Sequence, residues 1–250
     1  MDESIIELKR ICQKKIEEEL YLFRIVYLKV SIYLTRLLLR TSITANQVTL
    51  FNIILILPGS ALLFSFGIPS FSIAGGVLLQ SSMLLDTIDG EIARYRMYKQ
   101  MRTGHATLVG KILEDMTHCT FPLVFVGISF GLYNYFHDAI VFLFSFSIVL
   151  SFTLFYVVFE SIPFDTTAEK LYRIDKNPMS QHTDEVRVLM LLYTSRRIRT
   201  TIRNFFNSSI MSLAILVCAA LGQLYVPLFL YGTLLPPATV FFLYMRMRTL

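Results

Sequence analysis

Long runs of apolar residues dominate the chain and are separated by polar links. A helix that crosses the apolar core of a bilayer needs roughly 20 such residues. Six runs reach this length and predict spans near residues 47–67, 71–93, 110–134, 138–161, 206–226 and 228–246. The links Gly67–Ser70 and Tyr135–His137 are short enough to join spans 1–2 and 3–4 as tight hairpins. The pattern predicts an all-α, polytopic membrane protein with six transmembrane helices.

Two further stretches are amphipathic. Residues 21–40 alternate aromatic and leucine side chains with Arg24, Lys29 and Arg36, which is typical of a helix lying in the membrane interface. The long link 163–203 is basic, and its second half predicts another interfacial helix or a cytoplasmic extension of span 5. We therefore divide the chain into an N-terminal cytoplasmic segment, 1–46, with a juxtamembrane amphipathic helix, and a six-helix transmembrane domain, 47–250.

The distribution of charge agrees with this division. Hydrophobic residues make up 54% of the chain and charged residues 16%, against about a quarter charged in an average soluble protein. In a six-span topology, all 23 Lys and Arg residues face one side, and the positive-inside rule makes that side cytoplasmic, with both termini. Because the net charge of +5 lies beside apolar runs, it favours membrane lipids or a phosphorylated ligand as partners, and not nucleic acid.

Acidic residues cluster where spans 2 and 3 meet the predicted cytoplasmic face. Ionisable groups are costly inside a membrane and mark function there. Asp86 and Asp89 are three residues apart, and Glu114 and His118 four apart, so each pair shares a helix face. Carboxylates held close together need a cation, and oxygen ligands favour Mg²⁺ or Mn²⁺. The cluster predicts a divalent metal site formed by these four residues.

The residues beside these acids suit a diphosphate ligand. Gly90 and Ala93 are small and let a ligand approach the helix backbone. Arg94 offers a planar donor fork that matches phosphate oxygens. Asp115 is adjacent to Glu114 and points to another face of the helix, so we expect it to be secondary, as a partner for a cation in the preceding loop.

These residues resemble the signature of the CDP-alcohol phosphotransferases, also called CDP-alcohol phosphatidyltransferases. The family pattern DxxDGxxAR…GxxxDxxxD has counterparts at Asp86, Asp89, Gly90, Ala93, Arg94, Gly110, Glu114 and His118. Residues 45–49, ANQVT, resemble the PNxxT segment that precedes the family's first span.

The chain departs from the family pattern at four points. Glu114 stands in place of the third Asp and His118 in place of the fourth, while Ala45 replaces the usual Pro. The spacing from Arg94 to Gly110 is also longer than in the family. Glu114 keeps the charge of the residue it replaces, and His118 offers either a base or a metal ligand.

The resemblance implies transfer of a substituted phosphate from a CDP-linked donor to an acceptor alcohol, with release of CMP, in phospholipid biosynthesis. Asp86, Asp89 and Glu114 would hold Mg²⁺ or Mn²⁺, and His118 would accept the proton of the acceptor or join the metal ligands. The nucleotide and diphosphate would be bound by Asn46, Thr49, Asp86, Gly90, Ala93, Arg94 and Gly110. A homodimer and a cytoplasmic active site are also implied.

Three matters stay open at this point. Arg196, Arg197 and Arg199 suit either lipid headgroups or the phosphate of an acceptor. The donor is CDP-diacylglycerol, an ether-lipid equivalent or a small CDP-alcohol, and the acceptor alcohol is unknown. An intramembrane prenyltransferase, which also clusters aspartates around a diphosphate, and a non-catalytic nucleotide-binding membrane scaffold are the alternative functions. A transporter is disfavoured because the polar groups lie at one membrane face.

Overall fold

Helices account for the regular structure of the part of the chain that the computed structural model describes, residues 4–13, 21–99, 108–159 and 207–249. Their bounds are α1 (Ile5–Cys12), α2 (Tyr21–Leu38), α3 (Ala45–Phe51), α4 (Leu57–Ser65), α5 (Pro69–Lys99), α6 (Leu108–Thr120), α7 (Leu123–Phe136), α8 (Ile140–Phe159), α9 (Ser208–Ala220) and α10 (Tyr225–Thr249). A π-helical turn, Asn52–Ile56, joins α3 to α4. The predicted all-α class is confirmed.

The apolar helices lie where the spans are predicted. Three stretches of the described chain are long and apolar enough to cross a membrane: Ala45–Ser65, Pro69–Lys99 and Val109–Phe136. Shorter apolar helices cover Ile140–Tyr156, Ser208–Ala220 and Tyr225–Phe241. The chain is therefore an integral membrane protein, while six crossings and their sidedness stay predictions. The link 163–203, with Arg196, Arg197 and Arg199, lies outside the described residues.

The N-terminal segment contributes two helices. α1 begins at a capping box, in which the Glu7 amide donates to Ser4 Oγ at 3.3 Å and the Ser4 amide to the Glu7 carboxylate at 2.9 Å. α2 falls within the stretch 21–40 that was predicted to be helical. Both helices pack against α5. The location of α2 in the membrane interface stays a prediction.

Left-handed residues end the first helix of each predicted hairpin. Gly67 follows α4 with φ +69°, and His137 follows α7 with φ +56°. A residue in this conformation reverses the chain after a helix. Glycine is also required at Gly67 for lack of space, because an added Cβ would lie 2.6 Å from the carbonyl oxygen of Gly131.

The first long apolar helix contains a π turn. The amide of Leu57 donates to the carbonyl of Asn52, five residues earlier. Pro58 follows and cannot donate a backbone hydrogen bond, so the wider turn absorbs a break in the α-helical pattern. Turns of this kind are frequent at functional sites, and this one begins one turn after Thr49.

Two glycines bring α4 and α7 into backbone contact. A Cβ added to Gly127 would lie 2.1 Å from the carbonyl oxygen of Ala61, and one added to Gly131 would lie 2.2 Å from that of Phe64. Their spacing places both on one face of α7, and glycines four apart are a common means of close helix packing in membranes. The main apolar core surrounds this contact and includes Leu57, Phe64, Leu79, Phe125, Ile128, Met211 and Leu228.

α5 is the central element of the described fold. It packs against α1, α2, α3, α4 and α9. The helix continues to Lys99, beyond the predicted end of span 2 at residue 93. Near its C-terminal end, Arg96 donates to the carbonyl of Ile43 at 2.5 Å. This contact ties the end of α5 to the start of α3.

Substituting Gly127 by Ala tests the contact between α4 and α7. The added methyl group would meet the backbone of Ala61, so the two helices must separate, at a cost of about 1–3 kcal/mol typical of overpacking. We expect a lower midpoint of thermal unfolding in detergent. Gly59→Ala is the matched control, since its Cβ would lie 3.2 Å from the flexible side chain of Leu78. Equal midpoints for the two variants would contradict the proposed close packing.

Candidate active site

A hydrogen bond between α3 and α5 joins the two predicted motifs. Thr44 and Gln47 form a capping box that fixes the start of α3, and Thr49 follows one turn later. The Thr49 hydroxyl donates to Asp89 Oδ2 at 2.6 Å and also lies 3.1 Å from the Ala45 carbonyl. Thr49 is buried. The residues that resemble the PNxxT segment thus contact the second acid of the DxxDG motif directly.

Three carboxylates share the region around this hydrogen bond. Asp86 lies one turn before Asp89 on the same face of α5. The charges of both Asp86 and Glu114 act on the Asp89 carboxylate. Glu114 is exposed on α6, and α3 packs against both α5 and α6. The two acidic helices are therefore connected through the helix that carries Thr49.

The donor chemistry of this region fits a hard divalent cation. Carboxylate oxygens are the ligands that Mg²⁺ and Mn²⁺ prefer, and neighbouring negative charges favour a positive ion between them. In the described part of the chain, however, no three His, Cys, Asp or Glu side chains are placed closely enough to form a metal site. The metal site therefore stays a prediction, with Asp86, Asp89, Glu114 and His118 as its predicted ligands.

Arg94 turns back along α5 and covers Gly90. A Cβ added to Gly90 would lie 3.2 Å from Nη1 and 3.4 Å from Nη2 of Arg94, so the absence of a side chain at residue 90 gives the guanidinium its space. The Nε of Arg94 donates to the backbone carbonyl of Cys12 at the end of α1. The guanidinium is therefore held over Gly90, the residue that follows Asp89, by the N-terminal segment.

His118 packs against an aromatic residue of α8. Its ring lies 4.4 Å from that of Tyr156, centroid to centroid, with 25° between the planes. The Tyr156 hydroxyl donates to Asp115 Oδ1 at 3.2 Å. Asp115 was predicted to pair with a loop cation, and this contact with α8 was not foreseen, because Tyr156 lies 41 residues away and has no local signal.

Two buried polar residues below the acids were also missed. Asn52 and Ser82 are completely buried, and Asn52 Nδ2 donates to the carbonyl of Ser82 at 3.3 Å. Within the described structure, Asn52 Oδ1 and Ser82 Oγ have no hydrogen-bond partner. Asn52 lies three residues after Thr49, and Ser82 four before Asp86. Polar residues in two apolar runs, at helical spacing from the motif residues, are the signal that could have indicated them.

The remaining candidate residues lie on the same helices. Asn46 is half-buried one turn before Thr49, and Ala93 is half-buried one turn after Asp89. Gly110 is half-buried on α6, one turn before Glu114. Glu91 differs, because it is completely buried on another face of α5, towards α1 and α2.

Comparison with protein families agrees with this arrangement. Residues 42–171, more than half of the 250-residue chain, match the family model of the CDP-alcohol phosphatidyltransferases. The chain belongs to this family. No individual curated protein matches it. The match begins just before α3 and contains every motif residue from Asn46 to His118, while α1, α2, α9 and α10 lie outside it.

Membership in the CDP-alcohol phosphatidyltransferases implies phosphotransfer from a CDP-alcohol in phospholipid synthesis. It likewise implies a CDP-alcohol as donor and an alcohol as acceptor. The match supports a transferase embedded in a membrane, in line with the long apolar helices.

Substituting Thr49 tests the link between α3 and α5. Thr49→Val keeps the shape of the side chain and removes the hydroxyl that donates to Asp89. Loss of a hydrogen bond to a charged group costs about 1.5–3 kcal/mol, so we expect a lower midpoint of thermal unfolding. Thr49→Ser keeps the donor and is the control. A Val variant as stable as the Ser variant would show that this bond contributes nothing.

Proposed function

We propose that this protein transfers a substituted phosphate from a CDP-linked donor, CDP-diacylglycerol or another CDP-alcohol, to an acceptor alcohol and releases CMP. The observation that carries the proposal is the direct bond from Thr49 to Asp89 inside a DxxDGxxAR motif. It joins the two segments that the family signature assigns to the nucleotide, within the family match.

The donor would bind along one face of α5. Ala93 is small and would let the donor approach the backbone there, and the Arg94 guanidinium lies in the space over Gly90. A guanidinium binds phosphate oxygens through paired donors, so Arg94 would hold the diphosphate. Asn46, Thr49 and Gly110 would line the same pocket from α3 and α6.

Asp86, Asp89 and Glu114 would hold Mg²⁺ or Mn²⁺ beside the diphosphate. When bound, the ion supplies positive charge that offsets the charge of the phosphate oxygens and of departing CMP. Glu114 differs from the family Asp by one methylene group and keeps its charge. Its longer side chain would reach towards Asp89 from α6, consistent with the electrostatic interaction between the two residues.

His118 would act as the general base. The oxygen of the acceptor alcohol attacks the phosphorus of the transferred group, and its proton passes to the imidazole. The bond from that phosphorus to the bridging oxygen breaks, and its electron pair leaves with CMP. Stacking on Tyr156 would fix the plane of the imidazole, and Asp115 would hold Tyr156 in place through its hydroxyl.

The membrane arrangement proposed here follows the charge pattern. The six apolar helices would cross the membrane, with both termini and the active site on the cytoplasmic side. The segment 1–46 would precede a catalytic domain, 47–250, and Arg196, Arg197 and Arg199 would contact lipid headgroups or the acceptor. By family resemblance, the protein would be a homodimer.

CMP release from purified protein tests the proposed reaction. A panel of CDP-linked donors and acceptor alcohols is supplied with Mg²⁺ or Mn²⁺, and CMP is quantified. Asp86→Asn and Asp89→Asn should each lower CMP release by about 10²–10³-fold, in keeping with loss of a charge-stabilising group. Asp138→Asn, at an exposed position outside the site, is the control.

The same assay separates the alternatives. Binding of CDP-linked donors without CMP release under any condition would support a non-catalytic nucleotide-binding scaffold. Consumption of prenyl diphosphates without CMP release would support a prenyltransferase. Either result would overturn the proposed reaction.

Restoring the family residues tests whether Glu114 and His118 belong to a specialised enzyme or to an inactive relic. We expect the double variant Glu114→Asp, His118→Asp to lose activity, because its shorter acids no longer match the placement of α6. His118→Ala should lose about 10²–10⁴-fold, the usual contribution of a general base. Initial rates of CMP release measure both effects. A gain of activity from an inactive parent would instead identify the natural chain as a relic.

A further inference from the structure

The carboxylate of Glu91 is completely buried and accepts three hydrogen bonds. Ser31 Oγ donates to Oε1 at 2.7 Å, and Thr35 Oγ1 donates to Oε2 at 2.6 Å. Gln13 Nε2 donates to Oε1 at 3.1 Å. Because Ser31 and Thr35 are four residues apart, one face of α2 supplies both hydroxyls. A single side chain of α5 thus joins α2 to Gln13, the residue that follows α1.

The segment Cys12–Gln13 is attached to α5 by two neighbouring contacts. The Cys12 carbonyl accepts from Arg94 Nε, and the Gln13 side chain donates to Glu91. Gln13 also donates to the carbonyl of Leu28 in α2 at 2.8 Å. The segment therefore has a fixed position between α2 and α5, and that position determines where the Arg94 side chain is anchored.

Apolar packing closes this junction on one side. Leu8, Cys12, Ile32 and Tyr95 form a buried cluster between α1, α2 and α5. A carboxylate buried beside such a cluster is costly unless hydrogen-bonded, so its three donors determine how α1 and α2 can dock. All three donors precede residue 42, where the family match begins. The junction therefore belongs to the part of the chain outside that match.

We propose that Glu91 is a positioning residue for the transferase site, acting through Cys12–Gln13 on Arg94. Glu91 itself faces away from Asp86 and Asp89. It holds the segment whose carbonyl anchors Arg94 Nε, which leaves the two terminal nitrogens of the guanidinium over Gly90 for the diphosphate. This role in binding the donor rests on the proposed function, whereas the docking of the segment does not.

Donor kinetics test the effect on Arg94. Glu91→Gln keeps the size of the side chain and replaces one acceptor oxygen by a donor, which repels the donors around it. We expect the KM for the CDP-linked donor to rise about fivefold to tenfold, with a smaller change in kcat. In an Arg94→Ala background the same substitution should change KM by less than about twofold, since coupled residues are not additive.

Ser60→Ala is the matched control. Ser60 is completely buried and donates to the Gly75 carbonyl at 2.8 Å, but Gly75 lies about 21 Å from Asp89 along α5, at 1.5 Å per residue. Any effect of Ser60→Ala should therefore be the same with and without Arg94. If the effect of Glu91→Gln is likewise the same in both backgrounds, or absent, the positioning role is wrong.

The reactivity of Cys12 tests the docking without any activity. Cys12 is buried, and its labelling by N-ethylmaleimide is followed by site-resolved mass spectrometry, with Cys218 as the internal reference. Glu91→Gln should raise the labelling rate of Cys12 about fivefold or more by local opening, and Ser60→Ala should not. Unchanged labelling would overturn the proposal. If the natural protein releases no CMP, the proposed function fails, and Cys12 labelling still decides whether Glu91 holds the segment.

Discussion

Polar groups buried in an apolar bundle must find partners inside it, and α5 is where this protein meets that constraint. The helix carries Asp86 and Asp89 on one face and Glu91 on another. Thr49 of α3 bonds to Asp89, while Ser31 and Thr35 of α2 bond to Glu91. A hydrogen bond to a charged group contributes about 1.5–3 kcal/mol, so these few contacts help to hold α2 and α3 beside α5. The site and its support are thus two faces of one helix.

The sequence predicted what depends on local pattern. Apolar runs located the long helices, and helical spacing placed Asp86 and Asp89 on one face. The resemblance to a family placed Thr49 in the same pocket, and the hydrogen bond to Asp89 agrees with it. Contacts between distant segments were out of reach: Glu91 pairs with residues 56 and 60 positions away, and Asp115 with one 41 away. A single sequence shows which face of a helix is polar, but not which neighbour it meets.

The altered acidic positions of the signature lie on α6, and the unaltered ones lie on α5. Asp86, Asp89, Gly90 and Arg94 keep the family residues and are supported by α1, α2 and α3. Glu114 and His118 lie on α6, which packs against α3 and α8. His118 there stacks on Tyr156. The face of an aromatic ring is a better neighbour for an imidazole ring than for a carboxylate. The substitution of His for Asp is therefore accompanied by an environment that accommodates it.

The π turn at Asn52–Ile56 has a consequence for the first long apolar helix. Each residue rotates a helix by about 100°, and a π turn accommodates one more residue than an α turn. Thr49, before the turn, and Asn52, its first residue, face α5; after the turn, Ala61 faces Gly127 of α7. A chain shortened by one residue here would keep either the contacts of Thr49 and Asn52 with α5 or the contact of Ala61 with α7, but not both. The π turn therefore allows one helix to contribute to the site at one end and to helix packing at the other.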